Sequence, residues 1–129
     1  MKLILTRRVI SKKNSKQWIM RGRRRFLVPS VAYERYLAEA TIELKPQLKE
    51  KFADQPVRVH CDFFIQGKYR VDGDNLFTSI LDTLQYIGAI NDDQNVMAGS
   101  WEKYPGVAAF GTHIYIEPHG GKYERIRTI

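Results

Sequence analysis

Asp72, Asp74, Asp82, Asp92 and Asp93 put five carboxylates into residues 72–93 of a chain whose net charge is +7. Clustered carboxylates repel one another, so a fold keeps them together mainly around a cation. Oxygen-only donors suit hard divalent ions such as Mg²⁺ or Mn²⁺, which take one or two carboxylates, waters and the oxygens of a phosphate group. Asp72 and Asp74 are one residue apart in a stretch expected to be extended ahead of a helix, which would turn both side chains the same way. Asp92 and Asp93 follow the far end of that helix, and a returning chain must bring one of them back to join the first pair. On the helix, Asn75, Thr78, Ser79 and Asp82 are spaced by threes and fours and so share one polar face. An ion held there would polarise a phosphoryl oxygen and acidify a bound water, the chemistry of phosphodiester hydrolysis. Each piece also has a plainer reading: Asp74 as the helix cap, Asn91 to Asp93 as a polar turn, Asp82 as a solvated side chain.

The charge around these carboxylates is of the opposite sign. From Met1 to Tyr33 there is no acidic residue, while Lys2, Arg7, Arg8, Lys12, Lys13, Lys16, Arg21, Arg23, Arg24 and Arg25 supply ten cations. Lysine and arginine neutralise phosphates and release their condensed counterions, so the block reads as a footprint for a polyanion. Asn14, Ser15, Gln17 and Trp18 add hydrogen-bonding groups and a stacking surface suited to sugar, phosphate and exposed bases. The candidate DNA contacts are Lys12, Lys13, Asn14, Lys16, Arg23, Arg24 and Arg25, joined by Lys68 and Arg70 ahead of the carboxylates. A solvated basic loop is the bland alternative, but solvated faces usually mix charge signs. No Ser/His/Asp or Cys/His arrangement and no phosphate-cradling glycine loop points to covalent catalysis or nucleotide hydrolysis. The three histidines, His60, His113 and His119, are scattered and read as ordinary strand or tail residues.

The elements that must position these groups follow from spacing. Leu3 to Ile10 reads as a strand, Ser11 to Gly22 as a basic loop, and Arg25 to Val28 as a short strand closing it. Ser30 is placed to cap a helix running to about Phe52, whose apolar positions are Tyr33, Leu37, Ala40, Leu44 and Leu48, with Pro46 kinking or ending its regular part near Lys45. Val57, Val59, Cys61, Phe63 and Ile65 alternate on one face of a strand. Leu76, Phe77, Ile80, Leu81, Leu84 and Ile87 form the stripe of a second helix, capped by Asp74 and ended at Gly88. Val96 to Lys103 and Val107 to Glu117 read as an antiparallel pair joined through Tyr104-Pro105-Gly106. The sum is one α+β domain over residues 1–129, a small mixed or antiparallel sheet with two main helices, a basic N-terminal loop at 11–25 and a polar tail at 118–129.

With 129 residues, 43% of them hydrophobic and 27% charged, the chain can bury a core without metal or disulfide staples. The single cysteine, Cys61, and the short apolar run Leu3-Ile4-Leu5 before Arg7-Arg8 lead to the expectation of a soluble, cytoplasmic protein with no membrane partner.

The pattern resembles the RusA-type Holliday-junction resolvases, small dimeric Mg²⁺-dependent endodeoxyribonucleases common in prophages and bacteria. The resemblance rests on Ser11-Lys-Lys-Asn14, Pro29-Ser30, Arg70-Val-Asp72-Gly-Asp74-Asn75-Leu76, Asp82-Thr-Leu84 and Asn91-Asp92-Asp93-Gln-Asn-Val96, and covers most of the chain. It implies a homodimer that resolves four-way DNA junctions in recombination and repair. It also implies that Asp72, Asp74 and Asp93 are the catalytic, metal-binding carboxylates, supported by Asp92, Asp82 and Asn75, with Mn²⁺ a substitute for Mg²⁺. One position departs: the family commonly carries a catalytic lysine four residues after the second aspartate, and here that residue is Thr78, leaving Lys68, Arg70 or Lys103 to supply the cation. A weak or inactive branched-DNA-binding protein of the same fold is the alternative that Thr78 favours. A basic RNA-binding or adaptor domain would leave the carboxylates as coincidence.

Overall fold

The computed structural model describes residues 1–11 and 16–120. In chain order the elements are β1 (Lys2–Leu5), β2 (Lys16–Arg21), β3 (Arg24–Pro29), α1 (Val31–Leu44) with a 3₁₀ turn at Lys45–Gln47, β4 (Val57–Gln66) and α2 (Gly73–Tyr86). A 3₁₀ turn at Asp93–Asn95 then leads into β5 (Val96–Val107), and β6 (Gly111–Pro118) follows. One sheet has the order β1-β6-β4-β5 and a separate two-stranded sheet is the β2-β3 hairpin, so the small mixed α+β architecture expected from the sequence is the one observed. The polar tail expected over 118–129 lies largely outside the described residues.

The alternation expected in β4 is present: Val57, Val59, Cys61, Phe63 and Ile65 are all buried, and the first four form the floor of the core. Both helices pack on that floor. In α1, Ser30 caps Tyr33 N as expected, and Pro46 marks the change from α-helix to 3₁₀ turn. The buried residues of α1 are Tyr33, Tyr36, Ala40 and Leu44. Tyr36 was not in the expected stripe; its hydroxyl meets Thr83 Oγ1 at 2.9 Å, which satisfies a polar group that burial would otherwise penalise. The α2 stripe is as expected, and Gly88, at φ +83°, follows its end.

Four expectations are corrected. The basic loop expected over 11–25 holds a strand, Lys16–Arg21, which pairs with β3 through a tight turn that Gly22, at φ +63°, permits. The two last segments do not pair with each other: β5 runs parallel to β4, and β6 lies antiparallel on the other side of β4. The cause is α2, because two parallel strands need a crossover connection and the helix between β4 and β5 is that crossover. Pro105 does not break β5, since the strand is at the sheet edge and loses no ladder donor there. The first strand stops at Leu5 rather than Ile10, because Thr6 and Arg7 turn to α1. Thr6 Oγ1 donates to Glu43 at 3.0 Å, and Arg7 pairs with both Glu39 and Glu43. Ser79 is not on an open polar face with Thr78; it is buried, and its hydroxyl donates to Ile10 O at 2.6 Å.

Candidate active site

The strand-to-helix connection carries the first two carboxylates. Asp72, not Asp74, is the N-cap of α2, with backbone angles of −83° and 118° and Oδ1 accepting from Asp74 N at 2.9 Å and Asn75 N at 3.4 Å. Asp74 therefore stands in the first helical turn rather than in extended chain. The helix begins two residues earlier than expected, and its first residue, Gly73, slots beneath the ring of Trp101: a Cβ there would lie 2.4 to 2.6 Å from three ring carbons. Only glycine permits that approach. The indole Nε1 of Trp101 then donates to Asp74 Oδ1 at 3.0 Å. Both carboxylates are exposed at a helix N-terminus, where the helix dipole favours negative charge.

β5 presents Trp101 and Lys103 to this corner, two residues apart and so on one strand face. Lys103 Nζ donates to Val71 O at 3.1 Å and lies 5.9 Å from the Trp101 ring centre. A hollow of about 290 Å³ opens beside Asp72, lined in part by Arg8, Ser11, Tyr69, Arg70 and Asn75. Across the Tyr69 to Val71 segment a second hollow of about 560 Å³ is lined by Lys68, Arg70, Lys103 and Pro105. The Arg8 guanidinium lies 4.1 Å from the Tyr69 ring and 5.7 Å from that of Phe110. Asp72 thus stands on the wall of an open groove that also carries Arg8 and Arg70, a setting that draws phosphate groups toward the carboxylate.

The remaining carboxylates are elsewhere. Asp92 caps the 3₁₀ turn before β5, accepting from Gln94 N at 2.8 Å, and both Asp92 and Asp93 are exposed. A side-chain hydrogen bond with Asp92 raises the pKa of Asp93 above the ordinary carboxylate value, with slight desolvation and the charge of Asp92 adding to it. Gly73 meets Trp101 and Phe77 meets Gly99, so α2 runs back toward the start of β5, away from Asp72 and Asp74. Among the described residues no group of three His, Cys, Asp or Glu side chains is arranged to hold a metal ion, so the expected three-carboxylate set is not gathered within one chain. Asp82 faces α1, where burial first and the Asp82 charge second push the Tyr33 hydroxyl up to about 12. Asn75 lines the hollow beside Asp72.

Of the candidate DNA contacts, Lys68 and Arg70 line the grooves and Arg23, Arg24 and Arg25 are exposed on the hairpin. Lys12, Lys13 and Asn14, with the side chain of Lys16, lie outside the described residues. Sequence reasoning missed Trp101 as a partner of Asp74 and missed the placing of Arg8 and Tyr69 at the groove. The Trp-x-Lys alternation of β5 was the available signal, but it gains meaning only once β5 is known to flank α2.

The family model described as endodeoxyribonuclease RusA matches residues 7–117 of the 129. The matched span includes both aspartate pairs, Trp101 and Lys103. A comparison with curated proteins finds no match.

Proposed function

Since the chain belongs to the endodeoxyribonuclease RusA family, we propose that it is a Mg²⁺-dependent, structure-selective endonuclease that resolves four-way DNA junctions as a homodimer by paired cuts. The observation that carries this reading is the Asp72 and Asp74 pair, fixed by a helix cap and by Trp101, with Asp72 on the wall of a groove that also carries Arg8 and Arg70. The donor set suits the ion: Mg²⁺ is commonly held by one or two carboxylates, with waters and phosphate oxygens completing its octahedron. Asp72 and Asp74 would hold it, with Asp93 taking the third place that the family resemblance gives it and Mn²⁺ able to substitute. When bound, the ion supplies positive charge that polarises the phosphoryl oxygen and acidifies a water.

The chain's own residues do the rest. Arg8, Arg70 and Lys68 receive the backbone phosphates that flank the cut, fixing its register. Lys103, anchored on Val71 O, brings a compact charge to the edge of the carboxylate pair, where negative charge develops on the leaving oxygen. It is the cation that takes over from the absent lysine at Thr78. Trp101 holds Asp74 in one orientation. Recombination and repair in the cytoplasm are the setting that this activity implies; no helix among the described residues is long and apolar enough to cross a membrane.

The separation of Asp93 from the other two aspartates favours a second reading, a branched-DNA-binding protein of weak or no catalytic power. Incubating the protein with a synthetic four-way junction and with linear duplex, each with and without Mg²⁺, decides between them. Symmetric Mg²⁺-dependent nicks in the junction support the nuclease; tight binding without nicks supports the second reading.

A further inference from the structure

The β2-β3 hairpin is a separate two-stranded sheet with apolar side chains open to solvent: Trp18 is 59% exposed, Met20 62% and Leu27 48%. An isolated hairpin is marginal in water, and an open apolar patch on one calls for a partner. The register sets Trp18 opposite Leu27 and Met20 opposite Arg25, so these four side chains share one face. The Arg25 guanidinium lies 4.6 Å from the Trp18 ring, a cation on an aromatic surface. Residues 16–29 contain five cations, Lys16, Arg21, Arg23, Arg24 and Arg25, and no acid.

We propose that this face is a wedge that stacks on unpaired or unstacked bases at a DNA branch point, so that the hairpin, rather than the carboxylate site, reads junction structure. The proposal rests on the DNA reading given above. Charge selects the partner: the hairpin carries five cations and no acid, with Arg25 on the Trp18 face itself, a balance that suits a polyanion. The apolar surface selects the part of the DNA. Phosphates have nothing to offer Trp18, Met20 and Leu27, and the base faces of an intact duplex are covered by their neighbours. Bases at a branch point are already partly unstacked, so inserting an apolar side chain there costs least. Position agrees with this role. Ser11, ahead of β2, and Ala32, just after β3, both line the hollow beside Asp72, so the hairpin springs from the rim of the candidate active site.

The test uses the full chain carrying Asp74→Asn to prevent cutting, with and without Trp18→Ala or Trp18→Phe. Affinity is measured for a four-way junction and a linear duplex at one salt concentration, with 2-aminopurine at the branch point reporting stacking and light scattering reporting mass. Trp18→Ala should weaken junction binding by about tenfold, far more than duplex binding, and should abolish the 2-aminopurine response, while Trp18→Phe restores both. Equal losses on the two DNAs, no loss on either, or a change in mass with Trp18→Ala would overturn the wedge. Failure of the functional reading looks different, since then the parent protein itself shows no preference for the junction.

Discussion

The indole nitrogen of Trp101 donates to Asp74 Oδ1 across 3.0 Å and so ties the edge strand β5 to the first turn of α2. This bond orients one carboxylate of the candidate site from outside the helix that carries it. Trp101→Phe removes the donor and, with it, the outer indole carbons that cover Gly73. The single-turnover cleavage rate should fall by roughly tenfold, in line with a hydrogen bond to a charged acceptor, while DNA affinity hardly moves. A drop in stability without a drop in rate would make Trp101 a packing residue only.

Gly73 gives a separate check on the same corner. A methyl group there would sit 2.4 Å from a ring carbon of Trp101, so the ring must swing away and release Asp74. Gly73→Ala should cost about 1 to 3 kcal/mol in urea unfolding, as overpacking usually does, and should slow cleavage at least as much as Trp101→Phe. Wild-type stability together with a wild-type rate would contradict the geometry.

Asp72 is both the cap of α2 and a proposed ligand, and two substitutions separate the roles. Asparagine caps as well as aspartate, so Asp72→Asn should keep stability within a few tenths of a kcal/mol and still lose cleavage, whereas Asp72→Ala should cost about 0.5 to 2 kcal/mol as well. Asp74→Asn and Asp93→Asn should likewise abolish cutting while junction binding survives or tightens, because a negative charge facing phosphate is removed. Full activity of Asp72→Asn would leave that residue a cap and nothing more.

Lys103 reaches from β5 to the loop before Asp72 through its bond to Val71 O. Lys103→Ala should lower the cleavage rate by about a hundredfold, the usual loss when one preorganised charge is deleted, with a smaller effect on binding. Thr78 is exposed one turn beyond Asp74, so Thr78→Lys should add little to the wild type yet recover part of the rate in the Lys103→Ala background. A large gain from Thr78→Lys alone would show that Lys103 does not serve the reaction.

Local signals in the sequence located most elements and both aspartate pairs. The alternation of β4, the Ser30 cap and the Gly88 terminus each depend on residues within a few positions of one another, which is what periodicity and capping chemistry encode. What escaped was non-local. The parallel direction of β5 follows from the crossover helix, and the need for glycine at the start of α2 follows from the Trp101 ring, 28 residues away by numbering. By its spacing Ser79 belongs on a polar helix face, but it is buried and Ile10 O accepts its hydroxyl. The site shared this limit: Asp72 and Asp74 were legible from the motif, whereas Trp101, Lys103 and the cationic grooves became visible only with the sheet assembled.

The central claim is that Asp72 and Asp74 serve metal-dependent cutting of branched DNA, and one titration tests it most directly. A four-way junction labelled on all strands is incubated with wild-type protein and with Asp74→Asn over a range of Mg²⁺ concentrations, with products mapped at nucleotide resolution. The account predicts paired, symmetric nicks that rise with Mg²⁺ in the wild type and vanish in Asp74→Asn, although both proteins shift the junction equally. Cleavage by Asp74→Asn at the wild-type rate, or cutting by the wild type that is indifferent to Mg²⁺, would contradict it.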